Sequence, residues 1–214
     1  MRQWGEAERK DICRRLSAYS VPELCDGMDY PEAMDSGIRR YVGTGTVVGT
    51  ALTVKVPAGQ SGLVPEAILR LREGEVLVIS GRGHVLHSFW GDHRSLCAKK
   101  LGAAAVVIDG AFRDLEGCRA VGLPLFARGL TAVTAGKEKA GVIGEALACG
   151  GLVVRTGDLI AADENAVCVI RPEEAERLLA RTYRKTQAQK AVEAEMEQTG
   201  QIIPNIKWDR TVGH

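Results

Sequence analysis

The stretch DHRSLCAKKLGAAAVVIDGAFRD, residues 92–114, decides how the rest of this chain is read. Asp92 opens an amphipathic helix that runs to Leu101. Ala104–Asp109 is then a short apolar run with the pattern of a strand buried inside a parallel sheet. Gly110-Ala111-Phe112 reads as a short connection, which puts Arg113 and Asp114 in the loop at the strand's end. In α/β proteins such loops gather at the carboxyl edge of the sheet, where ligands bind. An acid, a guanidinium and a second acid brought together there can hold a divalent metal and a small anionic substrate. Each also has a plain reading: Asp is a preferred N-cap, so Asp92 can simply cap its helix, and Arg113-Asp114 can be a loop ion pair. Their joint occurrence at one sheet edge is what points to a site.

Working outward, residues 5–17 are helical, with Ile12, Cys13 and Leu16 on one side, and a second short helix starts after Ser20, an N-cap ahead of Pro22 and Glu23. Arg40–Val56 is β-forming. Leu63–Arg72 reads as a helix closed by Gly74, Glu75–Ser80 as a strand, and GRGHVLHSFWG, residues 81–91, as a loop. Beyond the central segment come a helix over Leu115–Val121, a strand over Pro124–Arg128, and a β-rich stretch from Gly151 to Ile170 with turns at Thr156-Gly157-Asp158 and Asp163-Glu164-Asn165. Strand–helix–strand alternation makes this an α/β chain. Glu173–Gln198 is a charged helical run with few apolar positions, long enough to leave the globule. We therefore divide the chain into a domain over 1–172 and a helical arm over 173–214, the arm packing on a neighbouring subunit.

The 214 residues carry 28 basic and 27 acidic side chains, so no overall field recruits nucleic acid or an anionic membrane. No run approaches the roughly 18 apolar residues of a membrane span, and the first fifteen residues lack a signal-peptide core. The six cysteines have no C-x-x-C pair, which is the pattern of reduced thiols in a cytoplasmic protein and argues against zinc. Gly43-Thr44-Gly45-Thr46-Val47-Val48-Gly49 imitates a nucleotide loop, but the residues after it form a strand ending at Pro57 rather than a helix, so the glycines mark strand bends. That weakens a dehydrogenase reading and, with no credible cofactor loop, rejects a methyltransferase. His84, His87 and His93 crowd one region without the spacing of helix-borne metal ligands, and surface or pocket-lining roles suit them better.

Trp90-Gly91-Asp92 followed twenty residues later by Arg113-Asp114 resembles the signature of the RraA-like family, which includes divalent-metal-dependent 4-hydroxy-4-methyl-2-oxoglutarate / 4-carboxy-4-hydroxy-2-oxoadipate aldolases. Pro57-Ala58-Gly59, residues 74–78, residues 106–110, residues 122–129 and residues 157–163 fit the same pattern. The resemblance implies a swivelling β/β/α domain assembled as trimers or hexamers, with the site near a subunit boundary. By position, Asp114 matches the metal ligand and Arg113 the residue that holds the keto acid. The backbone of Gly91, Asp92, His93 and Arg94 matches a carboxylate cradle, and Asp92 the acid that positions a metal-held water. The metal implied is Mg²⁺ or Mn²⁺, polarising the C2 carbonyl of a short 2-oxo acid in a retro-aldol cleavage to pyruvate, with oxaloacetate decarboxylation as a companion activity. The chain departs from the pattern at Gly117, where an acid is usual, and at Gln60, where Asp is common. A C-terminal glutamate belongs to the family picture, with Glu193, Glu195 and Glu197 as candidates. The family also implies a second function, a non-catalytic regulator of an RNase E-type endoribonuclease; a third reading is a metal-dependent sugar-acid dehydratase or related enolate enzyme using the same pocket, whose basic and histidine-bearing edge, His84, His87, His93 and Arg94, suits a more polar substrate.

Overall fold

The computed structural model describes residues 4–207. In chain order these form α1 (Glu6–Leu16), α2 (Val21–Gly27), β1 (Arg39–Val42), β2 (Val47–Lys55), α3 (Val64–Leu69), β3 (Glu75–Trp90), α4 (Asp92–Lys100), β4 (Ala105–Phe112), α5 (Leu115–Val121), β5 (Leu125–Leu130), β6 (Val142–Ile143), β7 (Leu147–Cys149), β8 (Leu152–Val154), β9 (Leu159–Ala162), β10 (Val167–Ile170) and, after a 3-10 turn, α6 (Ala175–Thr199).

The main sheet follows the order β1-β5-β4-β3-β2-β9-β10, with β6 attached to β2. The four central strands β2, β3, β4 and β5 are parallel, and β1, β9 and β10 are antiparallel to their neighbours. The parallel strands are consecutive and joined by α3, α4 and α5, so each crossover returns to the adjacent strand. β4 lies inside the sheet and all eight of its residues are buried. That explains its mostly apolar sequence, interrupted by Asp109, and each of its larger apolar side chains contributes about 1.5–3 kcal/mol on burial.

Three cores result. One face of the sheet packs under α3, α4 and α5, through Val54, Ile79, Phe89, Val106, Ile108 and Phe112. The other face is covered by Met34, Ile38 and the small β7–β8 hairpin. The third joins α1, α2 and α6 to β9 and β10. Ser20 begins α2 through a reciprocal capping box with Glu23, whose carboxylate accepts the Ser20 N–H at 2.7 Å, and Pro22 sits in the first turn where its missing donor costs nothing.

Several boundaries differ from the sequence expectation, for local reasons. β4 continues through Gly110, Ala111 and Phe112, because these small and apolar residues stay buried and paired with β3 and β5. β3 likewise runs to Trp90, so residues 81–90 are not simply a loop. Yet from the pair Ser80↔Asp109 to the pair Trp90↔Phe112, β3 advances ten residues while β4 advances three, so seven residues of β3 are extra to the pairing with β4. α3 is shorter than expected and ends at Leu69. α4 presents only the small residues Ser95 and Ala98 to the core, with Leu96 exposed, so it is less amphipathic than its sequence suggested. The glycine-rich stretch at 43–49 bridges two strands, as its context required. The first half of α6 is buried through Leu178, Leu179, Thr182 and Thr186, whereas most of its second half is exposed.

Candidate functional site

The parallel strands deliver their carboxyl ends to one edge, and the residues singled out in the sequence meet there. A shallow cleft of about 220 Å³ is lined by Trp90, Gly91, Asp92, His93, Arg94, Arg113 and Asp114, joined by Ser61, Ser88, Thr134 and Lys137. Gly91, not Asp92, is the N-cap of α4; Asp92 is the first helical residue, and its Oδ1 accepts the His93 N–H at 2.6 Å. One donor of the expected carboxylate cradle is therefore engaged within the protein. An acid in the first turn still complements the partial positive charge of the helix end.

Asp114 carries the most unusual backbone in the site. It is the N-cap of α5 with φ 59° and ψ 48°, one of two non-glycine residues with positive φ among the described residues. Asp tolerates this left-handed conformation better than most residues, but it remains a strained choice of the kind that collects at functional sites. The turn swings the carboxylate back over Gly91, where a side-chain Cβ would lie 2.8 Å from Asp114 Oδ2. Arg113 Nε pairs with the same oxygen at 3.0 Å, and its Nη1 donates to Thr134 Oγ1 at 2.5 Å. The plain ion-pair reading of Arg113-Asp114 is thus realised, with side chains 43% and 41% exposed on the cleft.

Gly117 lies against the other acid. A Cβ there would come within 2.6 Å of both Cβ and Oδ2 of Asp92, so Asp92 already occupies the space a side chain at 117 would need. Arg94 turns away from solvent: Nη1 donates to the Phe89 carbonyl, and Nη2 donates to the Ser61 carbonyl at 3.3 Å and to Ser61 Oγ at 3.2 Å. Burial lowers its pKa below the ordinary value, and the nearby Arg113 charge acts in the same direction.

Of the three clustered histidines, only His93 lines the cleft. His84 Nε2 and His87 Nδ1 hydrogen-bond each other at 2.7 Å beside Gly59. Gln60 clamps a loop: its Oε1 accepts the Glu138 N–H at 3.2 Å, next to Gly136. Glu193, Glu195 and Glu197 lie on the exposed half of α6, outside the cleft lining. Ser61, Thr134 and Lys137 escaped the sequence reading because they sit in loops without a motif. They reach the cleft through tertiary bridges that pair Gln60 with Gly136 and Ser88 with Thr134.

The donor set is two carboxylates, with no group of three or more Cys, His, Asp or Glu residues placed to hold a metal among the described residues. Hard oxygens beside open solvent suit Mg²⁺ or Mn²⁺, which keep several waters, and not the closed nitrogen–sulfur shell of structural zinc.

A family model described as RraA-like, Aldolase/RraA, matches residues 21–169. The chain belongs to the RraA-like family. A relative from Halalkalibacterium halodurans, which carries the provisional name 4-hydroxy-4-methyl-2-oxoglutarate aldolase, is 34% identical over 168 residues, covering 78% of this chain and 80% of its own. The structure of RraA from Thermus thermophilis, an RNA-processing inhibitor, matches with a TM-score of 0.66 at 26% identity over 71% of this chain and 92% of that one. A protein of Pseudomonas syringae matches 90% of this chain and 94% of its own with a TM-score of 0.78 at 24% identity, a likeness of fold. The RraA-like fold expected from the sequence is therefore the fold observed. Among the described residues, no helix is long and apolar enough to cross a membrane.

Proposed function

We propose that this RraA-like protein is a divalent-cation-dependent lyase that cleaves a short 2-oxo acid to pyruvate. The observation that carries the reading is the convergence of Asp92, Arg113 and Asp114 on one cleft at the carboxyl edge of the parallel strands, with Asp114 held in a strained turn. Asp114, with Asp92 beside it, would hold Mg²⁺ or Mn²⁺. When bound, such a cation supplies electrophilic stabilisation to negative charge growing on the C2 oxygen of the substrate.

The remaining work falls to the chain. Arg113, steadied by Thr134, grips substrate carboxylate oxygens in a fixed geometry, and Lys137 adds positive charge at the cleft wall. The N-terminal turn of α4, from Gly91 through Asp92 and His93 to Arg94, favours a carboxylate by its dipole. Asp92 Oδ2 accepts the C4 hydroxyl proton, directly or through one water, as the C3–C4 bond breaks and its electron pair passes to C3. Asp92 then returns that proton to C3, which completes pyruvate, while C4 leaves as the carbonyl carbon of the second product. Loss of CO₂ from oxaloacetate leaves the electron pair on the same carbon, so oxaloacetate decarboxylation accompanies the lyase activity.

The test is pyruvate release from 4-hydroxy-4-methyl-2-oxoglutarate and from oxaloacetate, each with Mg²⁺, with EDTA and with Asp114→Ala. Turnover that needs the metal and disappears in the variant is the expected result. Folded protein that turns over neither compound overturns the reading. The likeness to the Thermus RNA-processing inhibitor supports a second reading, a protein-binding regulator of an RNase E-type endoribonuclease. Inhibition of such an enzyme that survives Asp114→Ala would favour it. In the lyase reading the exposed second half of α6, whose first half belongs to this chain's own core, packs on a neighbouring subunit in a trimer or hexamer, and a monomer by light scattering would count against that assembly.

A further inference from the structure

Behind the cleft runs a chain of buried side chains that the chemistry above does not use. Trp90 Nε1–H donates to Ser95 Oγ at 2.7 Å, the Ser95 hydroxyl donates to Cys118 Sγ at 3.6 Å, and the Cys118 thiol donates to the Arg113 carbonyl at 3.6 Å. All three side chains are buried. Each donates one hydrogen in the same direction, and the chain links the end of β3, the middle of α4 and the middle of α5.

It ends on the carbonyl of the peptide that leads into Asp114. A left-handed non-glycine residue persists only where its surroundings over-determine it. Here the Arg113 N–H is fixed by the Trp90 carbonyl at 3.0 Å, and the Asp114 carbonyl by the Cys118 N–H at 2.9 Å. The peptide carbonyl between those two anchors is the group the thiol reaches.

We propose that Ser95 and Cys118 are positioning residues that orient the Arg113–Asp114 peptide and so aim the Asp114 carboxylate over Gly91 into the cleft. Their consequence for cation binding rests on the lyase reading, but their effect on the turn does not. A thiol serving only as a small apolar filler would be replaced by alanine at little cost to the turn. A thiol serving as a donor would not be.

The experiment compares Cys118→Ala, Cys118→Ser and Ser95→Ala in the full chain by Mn²⁺ titration and by hydrogen exchange of the segment 113–118. Cys118→Ala and Ser95→Ala are expected to weaken Mn²⁺ binding by about tenfold, the scale of losing a group that orients a ligand. Both should also raise exchange in 113–118 while the β4 amides stay protected. Cys118→Ser, which keeps a hydrogen to donate, should restore both properties. Wild-type affinity and exchange in Cys118→Ala, or a Cys118→Ser variant that behaves like alanine, overturns the proposal. If the unmodified protein binds no Mn²⁺, the lyase reading fails, and exchange at 113–118 still decides the positioning role. Should Cys118→Ala fail to fold, Ser95→Ala carries the same comparison with the thiol in place.

Discussion

Two Arg–Asp pairs, one with its acid inside β4 and one just past the end of that strand, have opposite characters. Asp109 sits in mid-strand, its side chain 9% exposed, and accepts from Arg128 Nε and from the Gly150 N–H at 3.2 Å, while Arg128 also reaches Asp35 at 3.0 Å. Asp114, just past the end of the same strand, pairs with Arg113 through one oxygen and faces solvent. The residue types are the same. The first pair is held by several partners in a dry setting, where it fixes β5 and the β7–β8 hairpin to the sheet. The second is wet and lightly held, and in the proposed lyase its groups exchange partners for a substrate and a cation. Position relative to one strand, not composition, sets how dry and how firmly held each pair is.

The sharpest way to break this contrast is Asp109→Ala. It leaves the Arg128 guanidinium with Asp35 as its carboxylate partner and should cost about 3 kcal/mol, as breaking a buried pair does. Urea unfolding is the measurement, and a loss below about 1 kcal/mol, the range of exposed pairs, would erase the distinction. Gly117→Ala should come next. Its methyl group would displace Asp92 and cost roughly 1–2 kcal/mol by overpacking. Turnover should fall further than stability suggests, and unchanged kinetics would remove Asp92 from the proposed chemistry.

Asp114→Gly sharpens the comparison from the other side. Glycine adopts the left-handed turn freely, so thermal stability should hold or rise by up to about 1 kcal/mol while turnover and Mn²⁺ binding vanish. A clear destabilisation would mean that Asp114 is structural after all. The smallest effect concerns acid. Hydrogen bonds from Arg128 and from the Gly37 N–H hold the Asp35 carboxyl below its ordinary value of 3.8. An acid depressed in the folded state contributes stability that is present above its unfolded pKa and lost as pH falls through the folded one. Below about pH 4, Asp35→Asn should therefore flatten the decline in urea midpoint slightly. A steeper decline in the variant would contradict the assignment.

The order of elements was legible because the buried parallel strands are nearly continuous apolar runs and the helices between them are bounded by caps and turns. The juxtaposition of Asp92 with Arg113 and Asp114 was legible too, since consecutive parallel strands bring such loops to one edge. Other features depended on partners remote in sequence. Nothing local marks residues 81–90 as bulged strand, because only pairing with β4 makes them so. Ser61, Thr134 and Lys137 reach the cleft through loop-to-strand bridges that leave no periodic trace. Gly117 appeared as a missing acid, whereas its neighbour Asp92 fills that space from another helix.

The two margins of the main sheet also limit how copies of this chain can meet. β1 is four residues long, begins with Arg39 and Arg40, and is broken in register before Val42. β10 has its outer side taken by residues 32–34, between α2 and β1, with the Met34 N–H on the Val167 carbonyl and the Val169 N–H on the Glu32 carbonyl. Neither margin presents a long, flat row of open amides and carbonyls, which is how natural sheets resist runaway stacking into fibrils. In the proposed oligomer, contact between copies therefore falls to side-chain surfaces, where a single substitution can tune affinity without opening a sheet edge.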